Sequence, residues 1–324
     1  MYSIGIDLGG TNIVAGLIRL DENGEASTLA SHKIKTGNGT SDEMIANMGQ
    51  LCFDVCDKAG IDIKDVKNVG IGVPGLANKK TGVVEVAVNI GWSDVPLRDK
   101  LKAITGLDVY IDNDANALAF SEYLIGGGKG YGTSLTVTLG TGIGGGFVED
   151  GRIYTGFNYA GFEIGHIVIE RGGRPCPCGR EGCWERYASA TGLIMTAQDY
   201  MIDHPESKMW ELASGDITKV EGKTVFDAAD LGDTTAKAVV TSYIEAVAVG
   251  LINMINLLQP DICIITGGIA RQGDRLLKPL LAICEKEVFS RNSPHNTQIV
   301  MSKLDDHVSV IGPALLYMEK TITD

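Results

Sequence analysis

Residues 3–12 read Ser3-Ile4-Gly5-Ile6-Asp7-Leu8-Gly9-Gly10-Thr11-Asn12. The apolar residues predict a short buried strand, the glycines a turn, and residues 13–19 the returning strand. Because the turn follows the carboxyl end of a strand, consecutive backbone N–H groups are free to face a ligand, and glycine lets phosphate oxygens approach the backbone. Asp7, at the start of the turn, can hold Mg²⁺ through water. A tight hairpin with no ligand explains the same glycines, so this turn alone does not decide the function.

Two further glycine turns follow predicted strands. They read Leu139-Gly140-Thr141-Gly142-Ile143-Gly144-Gly145-Gly146 and Thr266-Gly267-Gly268-Ile269-Ala270. Neither matches the P-loop pattern G-x-x-x-x-G-K-[ST], and the nicotinamide fingerprint G-x-G-x-x-G occurs only as a by-product of glycine richness. Three such turns indicate a nucleotide in a cleft, with the first two turns on the phosphates and the third on the adenosine. Three unrelated structural turns are the alternative.

The length of 324 residues predicts about two domains. Strand and helix patterns alternate in the first third, as in an α/β domain. We predict a smaller N-terminal domain over residues 1–118, with a closing helix at about 305–324 packing back on it. The larger C-terminal domain is predicted over residues 119–304. Both contain the order strand, glycine turn, returning strand, which suggests two related halves.

The net charge of −13, from 28 basic and 41 acidic residues, disfavours a nucleic acid or an anionic membrane as a partner. Residues 1–7 lack the features of a signal peptide, and the apolar stretch 246–258 is shorter than a membrane span. We therefore expect a cytoplasmic protein. An anionic substrate would be held by backbone N–H groups, helix N-termini and metal ions.

A metal loop is the sharpest local feature of the sequence. His166 is followed by Cys176-Pro177-Cys178-Gly179-Arg180-Glu181-Gly182-Cys183. One imidazole and three thiolates form a tetrahedral set suited to zinc, and four protein ligands leave no position for water, which predicts a structural role. In a reducing cytoplasm, such clustering indicates a metal in preference to a disulfide. Ordinary buried or redox-active cysteines are the alternative.

Two carboxylates flank the metal loop. Glu163 lies three residues before His166, and Glu185 lies two residues after Cys183. Fixing the loop would direct both acceptors, together with the spare nitrogen of His166, toward one pocket. Such a group of acceptors suits a polyhydroxylated ligand.

Another candidate site is the segment Asp112-Asn113-Asp114-Ala115-Asn116, which opens a helix after a strand. A carboxylate at a strand end can accept the proton of a substrate hydroxyl as that hydroxyl attacks a γ-phosphate. The alternative is that Asp112 or Asp114 is an ordinary N-cap.

Taken together, these segments resemble the ROK family (repressor, open reading frame, kinase), and within it the bacterial ATP-dependent glucokinases. The likeness runs nearly end to end and also includes Gly72-Val73-Pro74-Gly75, Asn89-Ile90-Gly91-Trp92 and Glu163-Ile164-Gly165-His166. The zinc loop with its flanking glutamates is the specific part, whereas the glycine turns occur throughout the actin-like ATPase superfamily. The resemblance implies a two-domain α/β fold of the actin-like ATPase (ribonuclease-H-like) type, with a central cleft and a zinc-bound loop at residues 166–185.

The resemblance also implies an activity, ATP-dependent phosphorylation of the 6-hydroxyl of a hexose, most of all glucose, by a homodimer or homotetramer. The general base would be Asp114. The sugar would be held by Gly75, Asn89, Asn113, Asp114, Glu163, His166 and Glu185. Magnesium and the phosphates of ATP would be held by Asp7, Gly9, Gly10, Thr11, Asn12, Thr141, Gly142 and Gly144, with Gly267 and Gly268 near the adenosine. The structural zinc would be held by His166, Cys176, Cys178 and Cys183.

One departure from the family concerns Phe162, which stands where the family commonly has glycine before the glutamate. A bulky ring there would reshape the wall near the sugar 1- and 2-positions. Kinases for N-acetylmannosamine, N-acetylglucosamine, fructose or allose are therefore alternatives. A sugar-responsive regulator is a further one, although repressors of the family carry a helix-turn-helix ahead of the first strand. The last alternative is an actin-like ATPase or interaction protein without a sugar site.

Overall fold

The computed structural model describes residues 1–304 and 308–320. They form two compact units. Unit 1 comprises Met1–Thr136, Gly146–Phe162 and the described part of Lys303–Asp324, and unit 2 comprises Val137–Gly145 and Glu163–Ser302. The predicted domain ranges 1–118 and 119–304 stay a prediction.

Strands and helices alternate along the described residues, which confirms the α/β class. The strands are β1 (Tyr2–Leu8), β2 (Asn12–Leu20), β3 (Ala26–Lys35), β4 (Val66–Val73), β5 (Leu76–Asn78), β6 (Val83–Ala87), β7 (Trp92–Val95), β8 (Asp108–Asn113), β9 (Thr133–Leu139), β10 (Ile143–Glu149), β11 (Arg152–Ile153), β12 (Ile262–Thr266) and β13 (Gln298–Met301). The helices are α1 (Ser41–Ala59), α2 (Leu97–Thr105), α3 (Asp114–Ile125), α4 (Glu185–Ala188), α5 (Ala190–Asp203), α6 (Lys208–Leu212), α7 (Gly222–Asp230), α8 (Thr234–Leu258), α9 (Asp274–Glu287) and α10 (Val308–Ala314).

The main sheet of unit 1 has the strand order β3-β2-β1-β4-β8. Strands β1, β2 and β3 form an antiparallel meander, whereas β1, β4 and β8 run parallel. The register pairs Asp7 with Gly72, and Gly72 with Asp112. Because the carboxyl ends of parallel strands meet at one edge of a sheet, Asp7 and the segment that begins at Asp112 lie at the same edge.

Helices cover the two faces of this sheet. Helix α1 begins with a capping box, in which Thr40 and Glu43 bond to each other's backbone N–H, and its apolar face packs against β2 and β3. Helix α10 packs on β1, β4 and α3. A Cβ at Gly5 would lie 1.7 Å from the Val310 carbonyl oxygen, so α10 can approach the sheet only because this strand residue is glycine.

The closing helix is shorter than the predicted range of about 305–324. Helix α10 ends at Ala314 and is followed by the 3-10 turn Leu316–Met318. Pro313 lies next to the end of α10, where its missing N–H and its ring work against a longer helix. Residues 305–307 and 321–324 of the predicted range lie outside the described residues.

The second five-stranded sheet has the order β11-β10-β9-β12-β13, and a small antiparallel sheet joins β5, β6 and β7. Helix α8 of unit 2 is long and apolar enough to cross a membrane by length and composition, with 25 residues and a mean hydropathy of 1.7. It is longer than the apolar stretch 246–258. However, 56% of its apolar window is buried, and Trp184 Nε1 donates a hydrogen bond to the Ala246 carbonyl. These are features of a core helix.

Candidate active site and metal centre

The first glycine turn joins β1 to β2 in unit 1. The Gly9 N–H bonds to the Asn12 carbonyl at 2.9 Å, and Thr36 Oγ1 donates to the Gly9 carbonyl at 2.6 Å, which fixes the turn. Gly10 and Thr11 at its tip are exposed. A Cβ at Gly10 would lie 3.8 Å from the Asn89 side chain, so the structure brings Asn89 next to the predicted phosphate turn.

The segment predicted to carry the base follows β8 at the same edge. Asn113 caps helix α3, because its Oδ1 accepts hydrogen bonds from the backbone N–H groups of Ala115 at 2.9 Å and Asn116 at 3.3 Å. The cap is therefore neither Asp112 nor Asp114. Asp114 occupies the first turn of α3, and one of its oxygens accepts from the Ala115 N–H at 2.8 Å.

Gly75 lies beside this segment. Asn113 Nδ2 donates to the Gly75 carbonyl at 3.1 Å. Gly75 has a φ of +154°, and a Cβ there would lie 2.3 Å from the Val86 carbonyl oxygen, so a side chain would push the loop away from its neighbours. Within unit 1, the structure therefore gathers three of the predicted sugar and base residues, Gly75, Asn113 and Asp114.

Asp7 is electrostatically coupled to Asp114. Burial, together with the nearby charge of Asp114, raises the pKa of the Asp7 carboxyl to about 6, although a hydrogen bond with Ser309 opposes the shift. A partly buried carboxylate at a strand end, next to a turn with exposed N–H groups, fits the chemistry of a magnesium ligand that also faces phosphates. The predicted metal residue and the predicted base thus lie close together in one unit.

We expect Asp7→Asn to raise the free energy of unfolding of the ligand-free protein by roughly 2 kcal/mol at pH 8, after allowing for partial exposure of the side chain. The pKa of this carboxyl is higher in the folded than in the unfolded state, so the stability of the fold decreases as the pH rises from 3.8 to about 6. Above that range the loss of stability stays constant. The neutral amide escapes this penalty. Urea unfolding in the presence of a chelator measures it, and a gain at pH 5 as large as that at pH 8 would contradict this assignment.

The second glycine turn begins at the end of β9 and belongs to unit 2. Thr191 Oγ1 donates to the Thr141 carbonyl at 2.7 Å, and the Ala190 N–H donates to the Gly140 carbonyl at 2.8 Å, so the start of helix α5 holds the turn. A Cβ at Gly142 would lie 2.7 Å from Glu185 Oε2, which places this sugar candidate beside the turn.

The third turn follows β12, also in unit 2. Gly267 packs against the backbone of β9, since a Cβ there would lie 2.5 Å from the Leu139 carbonyl oxygen. Gly268 is exposed. Within unit 2, the structure thus brings the predicted adenosine residues close to the strand that leads into the turn of Thr141, Gly142 and Gly144.

The four predicted zinc ligands converge. The ligand atoms of His166, Cys176, Cys178 and Cys183 all lie within 4.8 Å of one another. Cys178 Sγ lies 3.6 Å from Cys183 Sγ, and Cys176 Sγ lies 3.7 Å from His166 Nδ1. Tetrahedral ligands at about 2.3 Å from a zinc ion are separated by about 3.8 Å, so both the distances and the donor set fit zinc.

Glu185 adjoins the zinc cluster. Its Oε1 lies 3.2 Å from Cys176 Sγ and 3.6 Å from His166 Nδ1. Because Nδ1 is the nitrogen that faces the cluster, Nε2 of His166 is left for another partner. The exposed Glu163 directly precedes the 3-10 turn Ile164–His166, and its carbonyl accepts from the His166 N–H at 3.1 Å. The cluster therefore anchors the chain next to both glutamates.

Phe162 adopts a φ of +71°, in the left-handed region that favours glycine. This backbone conformation accounts for the glycine that the resemblance places before the glutamate. In unit 1, the Phe162 ring stacks on Phe147 at a centroid distance of 6.1 Å and meets Tyr154 edge-on at 6.3 Å. The aromatic contacts offset the cost of the backbone conformation, which is on the order of 1–2 kcal/mol.

We expect Phe162→Gly to leave thermal stability nearly unchanged, because it removes both the backbone strain and the ring contacts. Glu163, the next residue, loses its rigid neighbour, so KM for the sugar should rise several-fold while kcat changes less. Steady-state kinetics and thermal denaturation measure the two effects. Tyr159→Gly is a matched control, since Tyr159 also has a positive φ, of 63°, in the same loop. An unchanged KM in Phe162→Gly would show that Phe162 does not position Glu163.

Sequence reasoning did not identify the residues that support these sites. Thr36 and Thr191 hold the two predicted phosphate turns by hydrogen bonds to turn carbonyls. Lys79 and Glu319 form an ion pair near Asp112. The adjacent acids in the segment 112–114 were a visible signal of a site there, but nothing local in the sequence connects Lys79 with Glu319.

Known proteins resemble this chain along nearly its whole length. A glucokinase of Halalkalibacterium halodurans is 36% identical over 321 residues, covering 98% of this chain and 96% of that one. A glucokinase of Thermotoga maritima is 34% identical, covering 98% of this chain and 97% of that one. The crystal structure of a ROK family glucokinase from Streptomyces griseus in complex with glucose and AMPPNP has a TM-score of 0.81 at 32% identity, covering 98% of this chain and 99% of that one.

These likenesses confirm the actin-like ATPase class of fold that the sequence resemblance implied. The ROK family model matches residues 3–320, nearly the whole chain. Together with the full-length relatives, this match shows that the chain belongs to the ROK family.

Proposed function

We propose that this protein transfers the γ-phosphoryl group of ATP to the 6-hydroxyl of glucose, giving ADP and glucose 6-phosphate. The glucokinase names of the relatives and the glucose and AMPPNP complex of the Streptomyces griseus enzyme support both substrates. The observation in this chain that carries the proposal is the proximity of Asp7 and Asp114 in unit 1: Asp7 on β1 pairs with Gly72 on β4, and a Cβ at Gly72 would lie 3.3 Å from the Asp114 Cα. It brings a carboxylate suited to the metal and phosphates close to a carboxylate suited to a base.

In the proposed reaction, Asp114 accepts the proton of the 6-hydroxyl while that oxygen attacks the γ-phosphorus. The bond between the γ-phosphorus and the β,γ-bridging oxygen breaks, and ADP leaves. A base in this role contributes about 10²–10⁴-fold to the rate. Positioning of the substrates and backbone dipoles contribute the rest of the rate enhancement. Backbone dipoles can hold phosphates without a basic surface, which suits a protein with a net charge of −13.

The other predicted site residues keep their proposed roles. Mg²⁺, when bound, supplies charge neutralisation at the β- and γ-phosphates. Zinc is proposed as a structural ion that fixes the chain around Glu163 and Glu185. Magnesium and the phosphates would be held by Asp7, Gly9, Gly10, Thr11, Asn12, Thr141, Gly142 and Gly144, and the adenosine would lie near Gly267 and Gly268. The sugar would be held by Gly75, Asn89, Asn113, Glu163, His166 and Glu185.

A sugar panel tests the proposed substrate. The ratio kcat/KM is measured with ATP and Mg²⁺ for glucose, mannose, fructose, N-acetylmannosamine and N-acetylglucosamine. We expect glucose to give the highest value. A higher value for an acetylated amino sugar would favour the second candidate function, an amino-sugar kinase, for which Phe162 beside Glu163 is the motivating observation. ATP hydrolysis at the same rate with and without every sugar would contradict both.

We further propose that the protein acts in the cytoplasm as a homodimer or homotetramer, with neither nucleic acid nor membrane as a partner. None of the seven cysteines, all of which the structure describes, forms a disulfide, which suits a reducing compartment, and the negative net charge disfavours polyanions. Symmetric homo-oligomers are the commonest assemblies of soluble proteins. Light scattering would measure the oligomeric state, and a monomer across the micromolar range would contradict it.

A further inference from the structure

A buried ionic cluster lies beside the segment that carries Asp114. Lys79, in the turn between β5 and β6, places its Nζ 2.5 Å from Glu319 Oε1 and 3.5 Å from Asp112 Oδ2. The side chains are 25% exposed for Lys79, 16% for Glu319 and 3% for Asp112. Burial raises the pKa of both carboxyls, and the Lys79 ammonium opposes that rise. The buried carboxylate of Asp112 and the partly buried carboxylate of Glu319 therefore share one positive charge.

Asp112 uses its two carboxylate oxygens differently. Oδ1 accepts hydrogen bonds from the Asn113 backbone N–H at 2.7 Å and from Asn116 Nδ2 at 2.8 Å. Oδ2 is buried and makes no hydrogen bond within residues 1–304 and 308–320, so the ammonium of Lys79 is the charge that it faces. Because a buried carboxylate oxygen is costly without a compensating group, Lys79 stabilises this orientation of Asp112.

Lys79 is held from two sides. Its carbonyl accepts a hydrogen bond from Arg98 Nη2, and Arg98 Nε donates to the Val109 carbonyl at 3.1 Å. Its ion-pair partner Glu319 also accepts from the Ile153 N–H at 3.1 Å. The cluster thus joins segments of unit 1 that are up to 240 residues apart in sequence. A surface lysine with a mobile side chain would not be constrained in this way.

We propose that Asp112 is a positioning residue for Asp114, and that Lys79, held by Glu319, acts through Asp112. Oδ1 of Asp112 connects the residue before helix α3 to Asn116 in the first turn of the helix, and Asp114 lies between those two attachment points. The inference rests on the proposed function, in which Asp114 is the base. Neither Lys79 nor Asp112 contacts the sugar or the phosphates in that function, so their loss acts on kcat more than on KM.

A double-mutant cycle tests the proposal in the full chain. We expect Lys79→Met and Asp112→Asn each to lower kcat by about 10-fold, since small misplacements of a reacting group have effects of this size or larger. KM for glucose should change less than about threefold. The double variant should be no slower than either single variant, because Lys79 acts through the charge of Asp112. Lys79→Arg should restore most of the activity.

The matched control is Lys102→Met, which removes a lysine from an exposed ion pair with Asp108 in the same unit. It should leave kcat unchanged. If Lys79→Met does not fold, Glu319→Gln provides a milder variant for the cycle, since it keeps the size of the side chain and removes one charge. Additive effects on kcat, or a parallel loss of kcat and sugar affinity in a folded variant, would overturn the proposal.

Hydrogen exchange separates this proposal from the proposed function. We expect the backbone amides of Ala115 and Asn116 to exchange at least about 10-fold faster in Lys79→Met and Asp112→Asn than in the wild type or Lys102→Met. This readout needs no substrate. If the wild type does not phosphorylate glucose, the proposed function fails, and exchange still decides whether the cluster holds the first turn of α3. Unchanged exchange in both variants would overturn the positioning role.

Discussion

We expect Asp114→Asn to lower kcat for glucose phosphorylation by about 10²–10⁴-fold, the contribution of a general base. The amide has nearly the size of the carboxylate, and its oxygen can still accept the Ala115 N–H that Asp114 Oδ1 accepts at 2.8 Å. The first turn of α3 therefore keeps its shape, while the group that receives the proton is lost. A coupled assay measures kcat, and isothermal titration measures glucose affinity, which should change by less than about threefold.

Asp108→Asn is the control for this variant. Asp108 lies at the other end of β8, where it forms an exposed ion pair with Lys102. Solvent screens an exposed pair, which contributes little to stability, so kcat and stability should stay close to those of the wild type. A near-normal kcat in Asp114→Asn, with glucose binding intact, would show that another group accepts the proton.

We expect removal of the proposed zinc to lower the melting temperature by about 10 °C or more and to weaken glucose binding by at least about 10-fold. A structural zinc ion contributes several kcal/mol to the segment that it closes, and each kcal/mol corresponds to about 2 °C in a chain of this size. The loop contains Gly172, Gly173, Pro175 and Gly179, and its described pairing is limited to isolated bridges such as Val168 with Cys183. We therefore expect it to depend on the proposed ion for part of its shape.

Elemental analysis and differential scanning calorimetry test this expectation in Cys183→Ser and in chelator-treated wild type. Cys263→Ala is the matched control, since Cys263 is a buried cysteine of unit 2 that lies on β12, outside the cluster. We expect one zinc per chain in the wild type and in Cys263→Ala, and less in Cys183→Ser. A chain that contains no zinc, or that keeps its melting temperature and glucose affinity after chelation, would contradict the structural role.

The features that could be predicted from the sequence depend on residues that lie close together along the chain. The turn after Asp7 and the convergence of Cys176, Cys178 and Cys183 follow from short spacings and from glycine or cysteine chemistry, and the structure contains both. The backbone conformation of single residues was harder to predict from the sequence. Phe162 stands in a position that favours glycine, and only its contacts with Phe147 and Tyr154 explain why an aromatic ring is tolerated there.

Contacts between distant segments were not predictable from the sequence. The sequence left Asp112 or Asp114 as alternative caps of α3, whereas Asn113 is the cap, and its side chain also donates to the Gly75 carbonyl between β4 and β5. The Lys79–Glu319 pair joins residues 240 positions apart.

The most direct test of the central claim is a ³¹P NMR measurement of the products formed from glucose, ATP and Mg²⁺. We predict that glucose 6-phosphate and ADP form in a one-to-one ratio and that little inorganic phosphate is released. The same experiment with Asp114→Asn should give neither product on the same timescale. Release of inorganic phosphate from ATP without any sugar phosphate, at a rate independent of glucose, would contradict the account.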